Sequence, residues 1–483
     1  MRADVERVLG LLPGHVDYAD VRYVRRRHHG VHVENETVAQ LVREETEGIG
    51  LRVLMRGQWG FAAGTASNLV GLDRLVREAV AQAGVETGPP TRLAPAPVVR
   101  GSWTSPCERD PFGVPLGDQV ELLLAAAKEM RRAGPAVTSA QTSVDAYRDD
   151  KVFGNTEGSF VEQVITETGA GLLVTARTAD DVQRRSYPQS VPRAIVGERG
   201  DFANAGWEHV ERLDLLTAAP RVGAEAAALL SADPCPVTTT TLIVGATQMA
   251  QLLHETAGHP AELDRTLGAE DSLSGGTYMR PDELGRQRFG PELVTIVADA
   301  TRPGALGSFG WDDEGVSATR TAVVERGLIC SFLSSRATAG EYGWSSSGAA
   351  RADGWRRVPL VRMTNLFLEP GATPVDELVA TTDSGILIDM NRSLSIDDRR
   401  RSFRFGAEIG WEIRDGKLGR MLRNCTYEGD TVEFWSGCDA VGDAASFRQW
   451  GIPSCGKGEP LQVAHIGHGS PPVRFRNVRI GTR

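Results

Sequence analysis

Long apolar stretches are missing from this sequence of 483 residues. No segment approaches the roughly eighteen consecutive apolar residues that cross a bilayer, and the first twenty residues lack the apolar core of a secretory signal. The six cysteines lie far apart at irregular intervals, which does not resemble a disulfide framework. These absences predict a cytoplasmic protein with free thiols and no membrane-spanning segment.

Positive charge is also in short supply. The chain has 53 Lys and Arg against 63 Asp and Glu, a net charge of −10. A broad surface for nucleic acid or for an anionic membrane needs net positive charge, so we expect neither partner. The composition is otherwise ordinary, with 41% hydrophobic and 24% charged residues, and it predicts a folded globular protein.

The first half of the sequence predicts an α+β unit. Alternating apolar residues over 21–54 and 137–176 are typical of antiparallel strands, with a turn at Gly154-Asn155 in the second pair. Helical spacing predicts helices over 69–84, 119–133 and 214–231. The expected arrangement is an antiparallel sheet with helices on one face.

The second half is expected to be largely β. A strand before residue 245 leads into a helix that ends near residue 259, and short strands with glycine-rich turns follow. We place a domain boundary at Asp233-Pro234. The predicted domains are therefore residues 1–233, which are α+β, and residues 234–483, which are mostly β and carry the helix.

Two histidines bracket a glutamate where this helix ends, in His254-Glu255-Thr256-Ala257-Gly258-His259. Neutral imidazole binds Zn²⁺, and a neighbouring carboxylate can take a proton from water at the metal, so the combination is typical of zinc hydrolases. In the usual H-E-x-x-H motif the histidines are four residues apart, about 40° from alignment. Five residues separate them here, which leaves the rings about 140° apart on a regular helix.

A π-type turn would bring the two imidazoles back towards one face of the helix. We predict such a turn over residues 255–259, with Gly258 absorbing much of the distortion. The alternative is a pair of polar residues near a helix end, with Gly258-His259-Pro260 as the stop signal.

The motif and its continuation, Pro260-Ala261-Glu262, resemble the H-E-x-x-x-G-H-P-x-E signature of the TldD/PmbA family of metalloproteases, specifically its TldD-type catalytic branch. Further segments resemble that family as well: residues 57–80, residues 307–333, the R-M-T-N stretch at 362–365, and Cys455-Gly456-Lys457 near the C-terminus. The resemblance therefore covers nearly the whole chain.

This resemblance implies a zinc metallopeptidase. It implies that His254, His259 and Cys455 bind the zinc and that Glu255 is the general base. A thiolate beside two imidazoles leaves a fourth position for water, as in catalytic zinc sites. The resemblance also implies a dimer, formed with a PmbA-type chain that lacks the metal motif or with a second copy of this chain. The expected reaction is hydrolysis of unfolded peptides or peptide-like molecules inside the dimer cavity.

Two other functions are compatible with these residues. One is a zinc-dependent amidohydrolase that acts on a small-molecule conjugate, which the sequence cannot separate from a peptidase. The other is a non-catalytic partner subunit, but such a subunit is expected to have lost the motif. Residues 391–404 are more charged than their counterpart in the family, so the choice of substrate stays open.

Several other polar residues are given structural roles. We expect His28, His29 and His32 on a solvated strand face. His465 and His468 are expected in a solvent-facing loop, and the alternative is that they contact the metal-binding residues or the substrate. The acidic stretch at 312–315 is expected to form a turn, although it could bind a cation. The five other cysteines are expected to be small buried side chains.

Overall fold

The structure is a computed structural model, and it describes residues 1–65, 71–189, 200–269 and 275–481. The first half of the chain contains, in order, α1 (Arg2–Gly10), β1 (Tyr18–Glu34), β2 (Thr37–Met55), β3 (Gln58–Thr65), α2 (Leu72–Ala83), β4 (Arg100–Thr104), α3 (Leu116–Arg131), β5 (Val137–Asn155), β6 (Phe160–Arg177), β7 (Val182–Tyr187), β8 (Asp201–Ala203), α4 (Glu208–Leu213) and α5 (Leu215–Leu229).

These strands form one sheet in the order β3-β2-β1-β5-β6-β4, with β7 and β8 also paired to β6. All of its pairs are antiparallel except β4 with β6. Apolar residues of β1 such as Val21 and Val31 pack with the helices in two hydrophobic clusters. The predicted antiparallel sheet and its helices are confirmed, although residues 69 and 70 of the first predicted helix lie outside the described residues.

The turn between β5 and β6 lies slightly later than the sequence suggested. Gly154 and Asn155 are still paired within the sheet, and the turn itself spans residues 156–159. The Asn155 side chain accepts a hydrogen bond from the Ser159 amide at 2.9 Å. Gly158 adopts a φ of +99°, which glycine tolerates without steric cost. The prediction of a turn at Gly154-Asn155 is therefore wrong by two residues.

His28 and His32 on β1 are not solvated, contrary to our expectation, and His29 on the opposite face of the strand is half-buried. His28 and His32 are buried, and both place Nε2 3.0 Å from the fully buried carboxylate of Asp145 on β5. His28 also stacks on Tyr147, whose ring contacts His465 from the second half of the chain. The sequence pattern identified a polar face, but it could not show that the rest of the protein covers it.

The second half contains β9 (Asp233–Pro234), β10 (Thr238–Val244), α6 (Ala246–Leu253), β11 (Ile296–Asp299), β12 (Arg320–Glu325), β13 (Leu328–Ile329), α7 (Arg336–Tyr342), β14 (Ala350–Arg351), β15 (Leu360–Val361), β16 (Asn365–Leu368), α8 (Val375–Ala380), β17 (Ser384–Ile396), β18 (Ser402–Arg414), β19 (Lys417–Arg423), β20 (Thr426–Asp430), α9 (Thr431–Ser436), β21 (Cys438–Val441), β22 (Arg448–Lys457), β23 (Gln462–Ser470) and β24 (Val473–Ile480).

Two sheets dominate this half, which confirms the prediction that it is largely β. One has the order β17-β10-β24-β20-β18-β19-β9, with β21 added on β24, and the other has the order β13-β12-β11-β16-β23-β22. Helix α6 follows β10, and residues from both sheets share one hydrophobic cluster with it. The helix is thus held against strands β17 and β23. The domain boundary at Asp233-Pro234 stays a prediction.

None of the helices in the described residues combines the length and the low polarity that a bilayer crossing requires.

The acidic turn at residues 312–315 meets cations from the first sheet. Asp312 accepts hydrogen bonds from the Glu314 and Val316 amides at 2.9 Å, and Gly315 has a φ of +76°, so the predicted turn is confirmed. Lys151 lies 2.5 Å from Asp313, and Arg52 lies 3.2 Å from Glu314. Buried ion pairs therefore connect the two halves of the molecule.

Removing the Arg52 guanidinium should destabilise the protein. Arg52 bridges Asp20 and Glu314, and the three side chains are only 9%, 0% and 2% exposed. Arg52→Met leaves two buried carboxylates without their counter-charge. We therefore expect the free energy of unfolding to fall by about 3–5 kcal/mol, measured by urea unfolding. Arg74→Met is the control, because Arg74 and Glu78 are 75% and 51% exposed. It should change stability by less than about 0.5 kcal/mol, and equal effects of the two variants would contradict the prediction.

Candidate metal centre

The helix that carries the two histidines changes its winding where they lie. Helix α6 ends at Leu253, a π-helical turn covers His254–Gly258, and a 3₁₀ turn covers His259–Ala261. The His259 amide donates its hydrogen bond to the His254 carbonyl, five residues back. The predicted π turn is therefore confirmed, and it places both imidazoles on one side of the helix.

Side chains from neighbouring segments satisfy the polar groups that this irregular turn exposes. Pro260 has no amide hydrogen, so it cannot serve the Thr256 carbonyl as a helical donor. The Tyr278 hydroxyl donates to that carbonyl at 2.6 Å, and the Trp435 indole donates to the Thr256 hydroxyl at 3.0 Å. The turn is thus stabilised from outside the helix as well as from within.

Gly258 does not absorb the distortion as we had expected. Its φ and ψ are −66° and −63°, which is ordinary right-handed helix. A Cβ atom at this position would lie 2.0 Å from the sulfur of Met363 and 3.1 Å from Cδ2 of Leu366. The glycine is required because the helix packs closely against these two side chains, and unusual backbone angles are not the reason.

The turn brings three potential ligand atoms together. The Nε2 atoms of His254 and His259 are 3.1 Å apart, and each lies 3.6 Å from Sγ of Cys455 on strand β22. Tetrahedral zinc with ordinary Zn–N and Zn–S bond lengths requires N–N and N–S separations of about 3.3 and 3.6 Å. In the described part of the chain, this is the one group of three or more His, Cys, Asp or Glu side chains whose ligand atoms lie within 4.8 Å of one another.

The protonation states of these three side chains also favour the binding of a cation between them. Burial lowers the pKa of His254 to about 4 and lowers that of His259 as well. Burial alone would raise the pKa of the Cys455 thiol, but Arg362 and His259 outweigh it and lower the value. Nδ1 of His259 lies 2.9 Å from the Glu262 carboxylate and donates its proton there, which leaves a lone pair on Nε2. Electron-rich atoms therefore face one another.

Glu262 belongs to a buried charge network below the histidines. It accepts hydrogen bonds from Arg265 at 2.8 Å and from Lys457 at 3.2 Å, and Lys457 also donates to Asp264 at 2.8 Å. Burial opposes ionisation of Glu262, but Lys457, His259 and Arg265 hold its pKa well below the usual range. The network fixes His259 and also the strand that carries Cys455.

Glu255 is held by an arginine that sequence reasoning did not identify. Arg400 lies in the turn between β17 and β18 and donates to Oε2 of Glu255, while Gln251 donates to Oε1 at 3.1 Å. Burial alone would raise the pKa of Glu255, but Arg400 and the two histidines lower it to about 2. The only sequence signal for this contact was the unusual charge of residues 391–404.

The two C-terminal histidines lie in a strand, and the prediction of a solvent-facing loop is wrong. Both belong to β23, which packs against α6 on one side and faces the first sheet on the other. His468 is fully buried, and its Nε2 lies 3.2 Å from Nδ1 of His254. His465 points the opposite way and contacts Glu167 at 2.5 Å. Their odd spacing places them on opposite faces of the strand.

The five other cysteines are not uniformly buried. Cys425 and Cys438 are buried and Cys235 and Cys330 are partly buried, but Cys107 is exposed. The prediction of a small buried side chain is therefore wrong for Cys107.

Comparison with known proteins agrees with this description. Models of PmbA/TldA metallopeptidase domain 1, central domain and C-terminal domain match residues 19–83, 109–232 and 238–482. A metalloprotease of Methanothermobacter thermautotrophicus is 30% identical over 466 residues, which cover 96% of each protein. A zinc metalloprotease TldD homolog of Saccharolobus solfataricus is 24% identical over 229 residues, which cover 47% of this chain and 48% of that protein.

Solved structures share the fold. TldE from Thermococcus kodakarensis superimposes with a TM-score of 0.70 at 16% identity, over 99% of this chain and 98% of that chain. The class defined by these matches is that of metallopeptidases with a TldE-like α+β fold. The chain belongs to the PmbA/TldA metallopeptidase family, as its motifs had indicated.

The steric account of Gly258 can be tested with a double-mutant cycle. Gly258→Ala should lower the free energy of unfolding by about 1–3 kcal/mol, because the methyl group of the alanine would overlap the Met363 sulfur. Met363→Ala opens space at that point. The double variant should therefore be destabilised by at least about 1 kcal/mol less than the summed destabilisation of the two single variants, measured by urea unfolding. Strict additivity would indicate that backbone freedom is the reason for the glycine.

Proposed function

We propose that this chain is a zinc-dependent peptidase in which His254, His259 and Cys455 bind the metal and Glu255 is the general base. The observation that carries the proposal is the convergence of two Nε2 atoms and one Sγ atom at separations of 3.1, 3.6 and 3.6 Å. The fourth tetrahedral position is left for water or substrate, as in catalytic zinc sites.

The donor set favours zinc over other common ions. Two imidazoles and a thiolate suit a borderline-soft cation, whereas magnesium and calcium prefer oxygen ligands. Burial keeps the pKa of both histidines below its usual value, so their rings are neutral near pH 7, and the lowered pKa of the Cys455 thiol favours its ionisation beside a cation. The zinc named for the relative from Saccharolobus solfataricus supports the same choice.

In the proposed reaction, Glu255 accepts a proton from water and transfers it to the leaving group. When bound, zinc acts as a Lewis acid towards water and the scissile carbonyl. The Glu255 carboxylate accepts a proton from the attacking water as the new C–O bond forms, and it returns that proton to the leaving nitrogen as the C–N bond breaks. Gln251 and Arg400 orient the carboxylate, and each of its oxygens keeps a lone pair for this transfer.

The proposed substrate is an unfolded peptide or a small peptide-like molecule, cleaved in a cavity formed with a second subunit. The proposed partner is a PmbA-type chain that lacks the metal motif, and a second copy of this chain is the alternative. All six cysteines are free thiols, which agrees with the proposed cytoplasmic location. An amide bond in a small-molecule conjugate would use the same groups.

A cleavage assay tests the reaction and the partner together. The purified chain is incubated with zinc and a peptide library, alone and with a PmbA-type protein, and products are identified by mass spectrometry. New peptide termini that depend on Glu255 would support the proposal. Cleavage of small-molecule amides without any peptide cleavage would favour the amidohydrolase, and no hydrolysis in any mixture would favour a non-catalytic subunit.

Loss of any one metal ligand should remove the zinc. We expect about one zinc per wild-type chain and less than about one tenth of that in His254→Ala, His259→Ala and Cys455→Ala after dialysis, measured by elemental analysis. His465→Ala is the control, since His465 lies on the same strand as His468 but faces Glu167, and it should keep its zinc. A full zinc complement in Cys455→Ala would contradict the assignment of that ligand.

Replacing the general base should separate turnover from metal binding. Glu255→Gln keeps the shape of the side chain but cannot accept the proton, so we expect kcat to fall by about 10²–10⁴-fold. Its zinc content should match that of the wild type, because Glu255 is not among the proposed ligands. Hydrolysis at nearly the wild-type rate would show that another group is the base.

A further inference from the structure

His468 makes a contact with the metal centre that the proposed chemistry does not use. It lies on strand β23, it is fully buried, and its Nε2 is 3.2 Å from Nδ1 of His254. The two rings are tilted by 33° with their centroids 5.0 Å apart. Nε2 of His254 is the atom that faces His259 and Cys455, so His468 contacts the opposite nitrogen of the same ring.

The tautomers of both rings follow from this arrangement. If Nε2 of His254 offers its lone pair to a metal, Nδ1 of that neutral ring must carry the proton. Nδ1–H can then donate only to an acceptor, so Nε2 of His468 must be unprotonated. The proton of neutral His468 is therefore on its own Nδ1.

That placement has a cost, which argues for a role. Nδ1 of His468 is buried and has no hydrogen-bond partner among the described residues. A buried donor without a partner lowers stability, so a histidine that served packing alone would be a poor choice at this position. The compensating gain is the acceptor that its Nε2 supplies to His254.

We propose that His468 is a positioning residue, which fixes the tautomer and ring orientation of His254 so that Nε2 of His254 is presented to the metal. The inference rests on the proposed zinc site. Glu262 has the same relation to His259, since it accepts the Nδ1 proton of that ring at 2.9 Å. The two histidines are thus oriented by different groups, one by a carboxylate and the other by a neutral imidazole.

Zinc affinity measured by competition with a chromophoric chelator tests this role without relying on activity. His468→Leu removes the acceptor and should weaken zinc binding by about 10–100-fold, the usual effect of losing such a partner. His468→Gln can place its amide oxygen near the position of Nε2, so it should restore most of the affinity. His465→Gln, on the opposite face of the strand, is the matched control and should bind zinc as the wild type does.

Histidine NMR of the zinc-loaded wild type gives a second readout that needs no folded variant. Long-range ¹H–¹⁵N spectra distinguish the two tautomers, and the chain has only nine histidines to assign. We expect His254 and His468 each to carry the proton on Nδ1. A proton on Nε2 of His468 would overturn the proposal.

The outcomes separate this inference from the proposed function. Zinc affinity in His468→Leu within about two-fold of the wild type would overturn the role of His468 while leaving the zinc site intact. Failure of the wild-type chain to bind one zinc would overturn both. Weak binding by His468→Leu together with equally weak binding by His468→Gln would show that packing at this position, and not the acceptor, determines the affinity.

Discussion

The hydrogen bond from the His259 amide to the His254 carbonyl is the constraint on which the candidate site depends. A regular helix would leave imidazoles five residues apart on different sides, whereas the π turn directs both towards Cys455. The turn needs donors and space from elsewhere. Tyr278 satisfies a carbonyl that Pro260 cannot serve, and Gly258 leaves room for Met363. Residues far apart in the chain therefore decide whether a local motif can hold a metal.

Buried charges fix the parts of the molecule that the turn relies on. Lys457 lies two residues after Cys455 and donates to Glu262 and Asp264, so the strand and the motif helix are connected directly. At a greater distance, Arg52 and Lys151 from the first sheet neutralise Glu314 and Asp313. Such pairs do not stabilise a fold through their Coulomb energy alone, since desolvation opposes it. They do fix the position of each segment, because a displaced partner would leave a buried charge.

The sequence predicted the fold class and the main strands and helices of the first half, because apolar periodicity reports which face of a strand or helix is buried. It also predicted the π turn, because the spacing of two histidines allows few geometries around one ion. Cys455 came only from the resemblance, since 196 residues separate it from His259 and no local pattern connects them. His28, His32, His468 and Arg400 were misjudged or missed. Their environments are created by tertiary packing, and local periodicity carries no information about which polar face another part of the chain will cover.

The balance of charge around the site bears on the proposed chemistry. Arg400 neutralises Glu255, and Lys457 and Arg265 oppose Glu262 and Asp264. His254 and His259 are neutral because burial lowers their pKa. Among the proposed ligands only Cys455, as a thiolate, would offset a divalent ion, so the proposed centre would keep a net positive charge. Hydrolysis of an amide develops negative charge on the carbonyl oxygen, and a buried positive site stabilises that oxygen more strongly than it stabilises the neutral substrate.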